Sequence, residues 1–588
     1  MERRGRLDAT RNTPGRGLIL LLPLLLFFLP PGRAFPQTLP QAAPQTSLPP
    51  SPPVAEVKRL YDAGRWDDVL RLTRRSPAEP ADLEIYRGLA LARLGHLSEA
   101  DATFRAAFAR NPRDSRFLEE MAGIAYRQKH FDLAKNELRR ALAIHPKSVY
   151  AANFLASIYF LEGNLDAALK YWNRVDRPRL SDLTYDPTPF LDPSILDRIF
   201  SFSPGAVWRR DRFLTSQAQL QALNLFPDMR LDPEAQPDGS FHLSFDPGAR
   251  KSGLCLDLPC LGTALRGLPY LEVYPEFYNL NGKGLNWRSF LRWDDEKRLL
   301  ASELAGPIGE SPSRRFRLYF DGRNENWDIR NTLIRSTRPP AGLNQEREVA
   351  GAAVQSIPSW RFQWSLGAEV SHRIFRSLYG IPAAASPFFT NSSGIAARSE
   401  GNWVLFQHPE RKFTLRAGAS GELGDFFARP LGRYGRIQGS LAAEWLPKAR
   451  GDDDALHSML RMGRTFGETP FDDLFMLGFD RDNTLWMRGH NGLVDGMKGN
   501  APLGRNFVLS NSDFAKIVHH DPFSVVTAGP FLDSGEIFDP SGFFGSGKWL
   551  SDTGLQITIR TMGSFDYVLG YGKDLRSGGN TFYSAVSW

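Results

Sequence analysis

The polar residue with the least ordinary surroundings is Arg488, in the segment NTLWMRGHNG. It lies between the apolar run Leu485-Trp486-Met487 and Gly489. A surface arginine needs no such frame, and no phosphate-binding loop or cluster of metal ligands surrounds it. Downstream, the segment GPFLDSGEIF offers the carboxylate of Asp533. A guanidinium removed from water would need a planar, charged acceptor such as a carboxylate.

Catalytic patterns are missing from the sequence. We find no nucleophile elbow, Walker loop, dinucleotide fingerprint or His-Glu-x-x-His motif. We therefore expect no enzyme activity, no catalytic residue, no cofactor and no metal. The formal net charge of +7 is spread along 588 residues. Nucleic-acid binding needs a clustered basic face with a reading motif, so we expect no nucleic-acid partner.

The N-terminus has the pattern of an export signal. Several arginines precede the apolar run LILLLPLLLFFL, and a small-residue site at Gly32-Arg33-Ala34 follows it. This pattern predicts a signal peptide over residues 1–34. An N-terminal membrane anchor is the alternative, although the run is short and contains Pro23. Residues 35–53 are rich in Pro, Gln, Ala, Thr and Ser, which predicts a disordered linker.

Residues 54–182 have helical patterning with an internal repeat. Ala100, Ala134 and Ala168 recur at intervals of 34 residues, and the same interval relates Phe104, Leu138 and Trp172. This is the tetratricopeptide period. Such a solenoid presents a concave face, so we expect it to bind a peptide or protein partner. The alternative is that the repeats only space or rigidify the molecule.

Residues 191–249 have a mixed pattern that predicts a small α+β unit. We expect a strand over Asp197–Trp208, a helix over Arg209–Phe226 and two strands around a Pro-Asp-Gly turn within residues 228–249. This order resembles a POTRA-like domain, and the alternative is an unrelated α+β module. Cys255 and Cys260, in CLDLPC, are the only cysteines. In an exported protein they could form a disulfide or remain two unpaired thiols.

From residue 269 to 588, side chains alternate between apolar and polar. Trp360, Phe362, Trp364, Leu366, Ala368 and Val370 alternate with Arg361, Gln363, Ser365, Gly367 and Glu369. A soluble sandwich also has a period of two. Charges on the polar face, aromatic residues on the apolar face and the export signal favour a transmembrane β-barrel. Its length predicts about 16 antiparallel strands.

Taken together, these regions resemble the outer-membrane assembly factor superfamily, which contains the BamA/TamA and two-partner-secretion transporters. LWMRGH matches the family's conserved-loop motif at Arg488 and Gly489, while His490 replaces the usual aromatic residue. GPFLDSGEIF matches its Gly-x-Phe-x-Asp-x-Gly strand motif. The C-terminal NTFYSAVSW resembles the sorting strand of outer-membrane barrels. The matched residues are Gly529, Phe531, Asp533 and Gly535 in the strand motif and Phe582, Val586 and Trp588 in the sorting strand.

The resemblance implies that the conserved loop folds into the barrel, where Arg488 would meet Asp533 in a charge-assisted pair. The alternative is an exposed arginine and a turn aspartate that never meet. Gly489 and Gly535 would leave room for close backbone approach. It also implies a location in the bacterial outer membrane, with the repeats and the POTRA-like domain in the periplasm. The expected function is insertion or translocation of unfolded or secreted polypeptide clients, in contact with outer-membrane lipid. The alternatives are a passive channel and a barrel-anchored scaffold.

Overall fold

The computed structural model describes residues 53–73, 80–185, 191–200, 202–227, 229–248, 258–333, 340–428, 431–521, 523–561 and 565–586. The predicted signal peptide, residues 35–52 of the predicted linker, Cys255 and Trp588 lie outside these ranges. Cys260 lies within them and is disulfide-bonded.

In the described ranges, the N-terminal part is an array of eight helices arranged as four helical hairpins. The second, third and fourth hairpins begin at Ala81, Ser115 and Val149, so their starts are 34 residues apart. The predicted period is therefore the period of the hairpins. The helices are α1 Val54–Asp62, α2 Trp66–Leu72, α3 Ala81–Arg93, α4 Leu97–Arg110, α5 Ser115–Arg127, α6 Phe131–Ile144, α7 Val149–Leu161 and α8 Leu165–Trp172, followed by a 3-10 turn at Asn173–Val175.

Local sequence explains the turns and the close packing of this array. Gly95, Lys129 and Gly163 occupy equivalent turn positions and have φ values of 89°, 63° and 80°. Glycine suits this left-handed conformation because it has no Cβ. The small side chains of Ala100, Ala134 and Ala168 are fully buried where helices touch. The identification of these hairpins as tetratricopeptide repeats stays a prediction.

A three-stranded sheet with two helices follows the array. Its strand order is β1-β3-β2, with β1 parallel and β2 antiparallel to β3. Rings of Phe160, Trp172 and Phe241 lie 5.2–5.8 Å apart, so this unit and the array share one core. The elements are β1 Leu180–Tyr185, α9 Pro193–Ile199, α10 Arg210–Leu223, β2 Arg230–Ala235 and β3 Phe241–Asp246.

The predicted strand over Asp197–Trp208 is wrong. Its first residues belong to helix α9, because Pro193 starts that helix and the side chain of Asp192 accepts a hydrogen bond from the backbone N–H of Ser194. Proline at the first helical position and aspartate before it are strong helix-start signals. The first strand of the unit, β1, lies upstream of the predicted boundary at residue 191.

The C-terminal part is one large antiparallel sheet that curls into a barrel. Fourteen long strands, β6–β14 and β19–β23, form it in the described part of the chain. The elements are α11 Leu258–Ala264, β4 Glu272–Val273, β5 Glu276–Phe277, β6 Asn286–Trp293, β7 Lys297–Ile308, β8 Ser311–Asp328, β9 Gly342–Ser359, β10 Phe362–Tyr379, β11 Ser392–His408, β12 Phe413–Phe426, β13 Arg433–Trp445, β14 Asp454–Gly467, β15 Phe475–Met476, β16 Leu493–Val494, β17 Met497–Lys498, β18 Leu503–Gly504, β19 Asn506–His520, β20 Ser524–Phe538, β21 Leu550–Thr561, β22 Phe565–Asp574 and β23 Asn580–Val586.

Two short strands complete the sheet beside its first long strand. β4 and β5 pair with successive parts of β6 and together act as one interrupted strand. The interrupted strand and the fourteen long ones come close to the predicted 16. The residue register of the described chain includes no pairs between β23 and β4 or β5. This boundary between the last and first strands is called the seam below.

The alternation predicted for the strands is confirmed. Trp364, Leu366 and Val370 point outward and are 37%, 58% and 56% exposed, whereas Glu369 between them points inward and is 5% exposed. The outer surface is therefore apolar, while the inner surface carries charges. None of the helices in the described ranges is long and apolar enough to span a membrane.

The helical part contacts one end of the barrel, called the near rim below. The amide nitrogen of Asn164 donates to the Pro409 carbonyl at 2.8 Å, and Lys170 Nζ lies 2.6 Å from Glu410 Oε1. Pro409 and Glu410 form the turn between β11 and β12. The opposite end, the far rim, is where β14 ends and β19 begins.

Candidate functional site inside the barrel

The residues predicted to carry function lie on a long loop, residues 468–505, that joins β14 to β19. It is called the interior loop below. Leu485 and Met487 on this loop are buried against Phe507 and Leu509 of β19. The apolar frame around Arg488 therefore packs against the inner wall of the barrel, which removes the arginine from bulk water.

Arg488 meets Asp533 in a two-pronged ion pair. Its Nε donates to Asp533 Oδ2 at 2.9 Å, and its Nη2 donates to Oδ1 at 2.6 Å. The backbone N–H of Arg488 donates to the same Oδ2 at 2.9 Å. Asn511 supplies a fourth donor, at 2.7 Å from Oδ1. Asp533 is fully buried, and four donors compensate its carboxylate for the loss of water.

Further groups surround the guanidinium of Arg488. Its Nη1 donates to Asp513 and, at 3.2 Å, to Gln556 Oε1. Its central carbon lies 3.8 Å from the centre of the Phe531 ring. Burial alone would lower the pKa of Arg488, but the hydrogen bonds and charge of Asp533 outweigh this effect and raise that pKa. Arg488 and these partners are called the arginine latch below.

Gly489 and His490 extend the contact to the next strands. The Gly489 N–H donates to Asp552 Oδ2 at 2.6 Å, and its carbonyl accepts from Thr581 Oγ1 at 2.9 Å. A Cβ at Gly489 would lie only 2.7 Å from Asp552 Cγ and from the backbone nitrogen of Asp574. Glycine is therefore required here for steric reasons.

His490 lies between two carboxylates. Its Nδ1 is 3.0 Å from Asp552 and its Nε2 is 3.5 Å from Asp574. Burial would lower the pKa of His490, but the hydrogen bond and charge of Asp552 outweigh it, so the pKa is raised. These three residues are also the group of potential metal ligands in the described chain, with ligand atoms within 4.8 Å of one another. Each ring nitrogen faces a different carboxylate, so His490 bridges the two acids.

A second set of contacts attaches the interior loop to another part of the wall. Arg292 Nη1 lies 2.5 Å from Asp482 Oδ2, and Lys297 Nζ lies 3.2 Å from Asp480 Oδ1. Arg292 also lies 2.7 Å from Glu272. All five side chains are nearly fully buried. This set is called the acidic attachment below.

At the beginning of the interior loop, acidic residues of the loop again face basic residues of the wall. Asp472 lies 3.2 Å from Arg347 of β9 and 3.2 Å from Arg373 of β10, and the neighbouring Asp473 faces the same two arginines. The acids of the loop thus face cations on β6–β10. Arg488 and His490 face acids on β19–β22. The interior loop therefore spans the barrel between walls of opposite charge.

The structure also places the other residues singled out from the sequence. Phe531 lies under Arg488, and Cβ atoms at Gly529 and Gly535 would lie 1.6 Å and 2.6 Å from the backbone oxygens of Phe514 and Val508. Phe582 points outward and is 82% exposed, and Val586 is half-buried.

Sequence reasoning missed several residues of the site. Apart from Asp533, the acids that face Arg488 and His490 were not predicted, and neither were those of the acidic attachment and of the loop start. Some of these acids could have been found from the sequence. Asp513, Asp552 and Asp574 occupy inward-facing positions in strands whose side chains alternate between the two faces. The missed residues are Asp513, Gln556, Asp552, Asp574, Asp480, Asp482, Asp472 and Asp473.

Comparison with solved structures gives three similar barrels. BamA from Haemophilus ducreyi lacking POTRA domains 1–3 is 11% identical, with a TM-score of 0.40, over 70% of this chain and 84% of that one. CdiB from Escherichia coli is 11% identical, with a TM-score of 0.44, over 69% and 76%. CdiB from Acinetobacter baumannii is 12% identical, with a TM-score of 0.41, over 76% and 81%.

No protein-family model and no curated protein matches the sequence.

Proposed function

We propose that this protein is an outer-membrane barrel that inserts or translocates polypeptide clients delivered from the periplasm. The observation that carries the proposal is the interior loop, held at both walls by buried ion pairs. A loop fixed in this way obstructs the interior, which a passive channel would need to keep open. Buried pairs also act as a discrete attachment that can be made or released as a unit.

The outer surface supports a membrane location. Trp287, Trp293, Leu555 and Leu569 point outward and are exposed. A band of apolar and aromatic side chains is what a lipid-facing barrel requires. In this arrangement the near rim faces the periplasm, because the helical part contacts it.

The helical part and the seam give the client a route. The helical array lies beside the near rim, so a client bound there is already close to the barrel. Strands β1 and β2 form the edges of the three-stranded sheet, and a sheet edge can bind an extended chain through its backbone groups. The client would then pass through the interior or along the seam.

A complementation experiment tests the proposal. A strain that lacks the gene would receive the wild-type chain, Arg488→Lys or the control Arg433→Lys, whose side chain lies on the outside of β13. Quantitative mass spectrometry would compare the outer-membrane and secreted proteins of the strains. We expect a defined set of polypeptides to be lost without the gene and restored by the wild type and the control, but not by Arg488→Lys.

Two results would count against the proposal. An unchanged protein profile with altered uptake of small solutes would indicate a passive channel. An unchanged profile in which crosslinkers on the helical array capture proteins, while crosslinkers at Phe582 capture none, would indicate a scaffold.

A further inference from the structure

A chamber in the barrel interior has an excess of cationic side chains. Its volume is about 640 Å³, and it lies between the interior loop, at Thr484, and the wall formed by β6–β13. Six arginines and four carboxylates line it: Arg288, Arg317, Arg323, Arg347, Arg398 and Arg436, with Glu303, Asp321, Glu400 and Glu422. None of these residues belongs to the arginine latch.

Strand register explains why the chamber exists. One row of directly paired residues crosses six adjacent strands, β8 to β13, and contains Arg317, Ala353, Gly367, Arg398, Glu422 and Arg436. Ala353 and Gly367 are small and leave space in front of the wall. Since neighbouring strands are about 4.8 Å apart, Arg398 and Arg436 start from backbones about 10 Å apart on one side of this space.

When carboxylates outside the row are also counted, one arginine of this row is left without an acidic partner among the described residues. Glu422 is the residue paired with Arg436 in the sheet, but its carboxylate lies 3.0 Å from Arg398 and accepts a hydrogen bond from the Tyr434 hydroxyl at 2.5 Å. Arg436 is the one chamber arginine with no carboxylate within 4 Å among the described residues. The other five each have such a partner.

Arg436 is nevertheless held in place. Its guanidinium carbon lies 4.4 Å from the centre of the Phe475 ring of the interior loop, and its Nε is buried without a hydrogen-bond acceptor. Packing against a ring covers the face of a guanidinium and leaves its N–H groups in the plane available. Arg436 is half-buried. Withdrawing part of a guanidinium from water without a counter-ion is costly, and a bound anion reduces that cost.

We propose that this chamber binds an oxyanion, a phosphate or carboxylate group, through Arg436 with Arg398 beside it. The size of the chamber is within the range of small-molecule sites, roughly 300–1,000 Å³. Arginine matches the geometry of both oxyanions through paired N–H groups. This site goes beyond the transport proposal, because it requires no client and stands whether or not the protein moves polypeptides.

Calorimetric titration of the full chain in detergent tests this site. Sodium pyrophosphate and sodium citrate serve as the phosphate and carboxylate probes, and the stronger binder identifies the preferred oxyanion. We expect saturable binding at one site per chain. Arg436→Gln should weaken it by about tenfold or more. Arg433→Gln, on the same strand but with a 92% exposed side chain, should change it by less than about twofold.

Retention of the folded barrel would be checked by its resistance to SDS before heating. If Arg436→Gln does not fold, Arg436→Lys is titrated in its place. Lysine keeps the positive charge but cannot offer two parallel N–H groups to one oxyanion. We then expect about threefold weaker binding. The proposal is overturned if neither probe shows saturable binding below about 10 mM, or if Arg433→Gln weakens binding as much as the Arg436 variant.

Discussion

The interior loop is attached to two walls of the barrel in opposite ways. On the β19–β22 side, one residue of the loop, Arg488, collects several acceptors, and Asp533 alone accepts three of its N–H groups. On the β6–β8 side, Asp480 and Asp482 share Arg292, Lys297 and the loop's own Lys498.

On the first side a single residue of the loop makes the ion pairs, whereas on the second side several charged residues share them. Removing one partner of a buried pair leaves the other charge uncompensated. In the arginine latch no other acid can replace Asp533 in its two-pronged geometry. In the acidic attachment, each charge has a second partner nearby. We therefore expect the latch to be sensitive to single substitutions and the acidic attachment to be tolerant of them.

Asp533→Ala should have the largest effect. It leaves Arg488 buried and deprives both its side chain and its backbone N–H of their main acceptor, which costs about 3–5 kcal/mol in comparable buried pairs. Hydrogen exchange of the loop amides, followed by mass spectrometry, would measure this cost as faster exchange over residues 478–498. Exchange at the wild-type rate would show that Asp533 does not hold the loop.

Arg488→Lys should have the next largest effect. Lysine keeps the charge and the backbone hydrogen bond to Asp533, but it cannot donate in two parallel bonds. Loss of one charge-assisted bond costs about 1.5–3 kcal/mol. The same exchange measurement applies, with Arg433→Lys as the matched control. Equal protection in Arg488→Lys and the wild type would mean that charge alone is sufficient.

Asp482→Asn tests whether the acidic attachment tolerates a single substitution. After this change Arg292 still lies 2.7 Å from Glu272, and Lys297 still lies 3.2 Å from Asp480. We expect a loss of about 1 kcal/mol in loop attachment, visible as a small increase in exchange. A loss as large as that of Asp533→Ala would overturn the distinction between the two attachments.

His490 should make the smallest contribution to the attachment of the interior loop, and this contribution should depend on pH. Its pKa in the folded state is raised, so its contribution is fully present below the unfolded value of about 6.5 and is lost as the pH rises through the raised value. The groups that face it are Asp552 and Asp574. We expect the protection factor of the loop, which is its exchange rate relative to the intrinsic amide rate at the same pH, to be lower at pH 9 than at pH 6, and His490→Gln to remove this difference. A wild-type protection factor that does not change with pH would contradict the bridging role.

Sequence reasoning predicted the parts of this molecule that depend on short-range patterns. The 34-residue period matched the helical hairpins, and alternation assigned Glu369 to the inside and Leu366 to the outside. The approach of Arg488 to Asp533 was also predicted, although only through the family resemblance. A single strand cannot show which residue lies across the barrel from it.

Sequence reasoning missed helix α9 and the acidic attachment because their signals are brief or depend on residues far apart in the sequence. Helix α9 was missed because the Asp192-Pro193 start signal is brief and an aromatic run follows it. The acidic attachment was missed because Asp480 and Asp482 meet Arg292 and Lys297 from almost 200 positions away in the sequence. Such residues come together only when the sheet curls into a barrel around the interior loop. This long-range arrangement leaves no local pattern in the sequence.

A double-mutant cycle on Arg488 and Asp533 tests the central claim most directly. Loop attachment would be measured by hydrogen exchange in the wild type, Arg488→Ala, Asp533→Ala and the double variant. If the two residues form the latch, the double variant loses little more than the worse single variant, with a coupling energy of about 2–3 kcal/mol. Additive losses, with coupling below about 0.5 kcal/mol, would contradict the claim that this pair holds the interior loop.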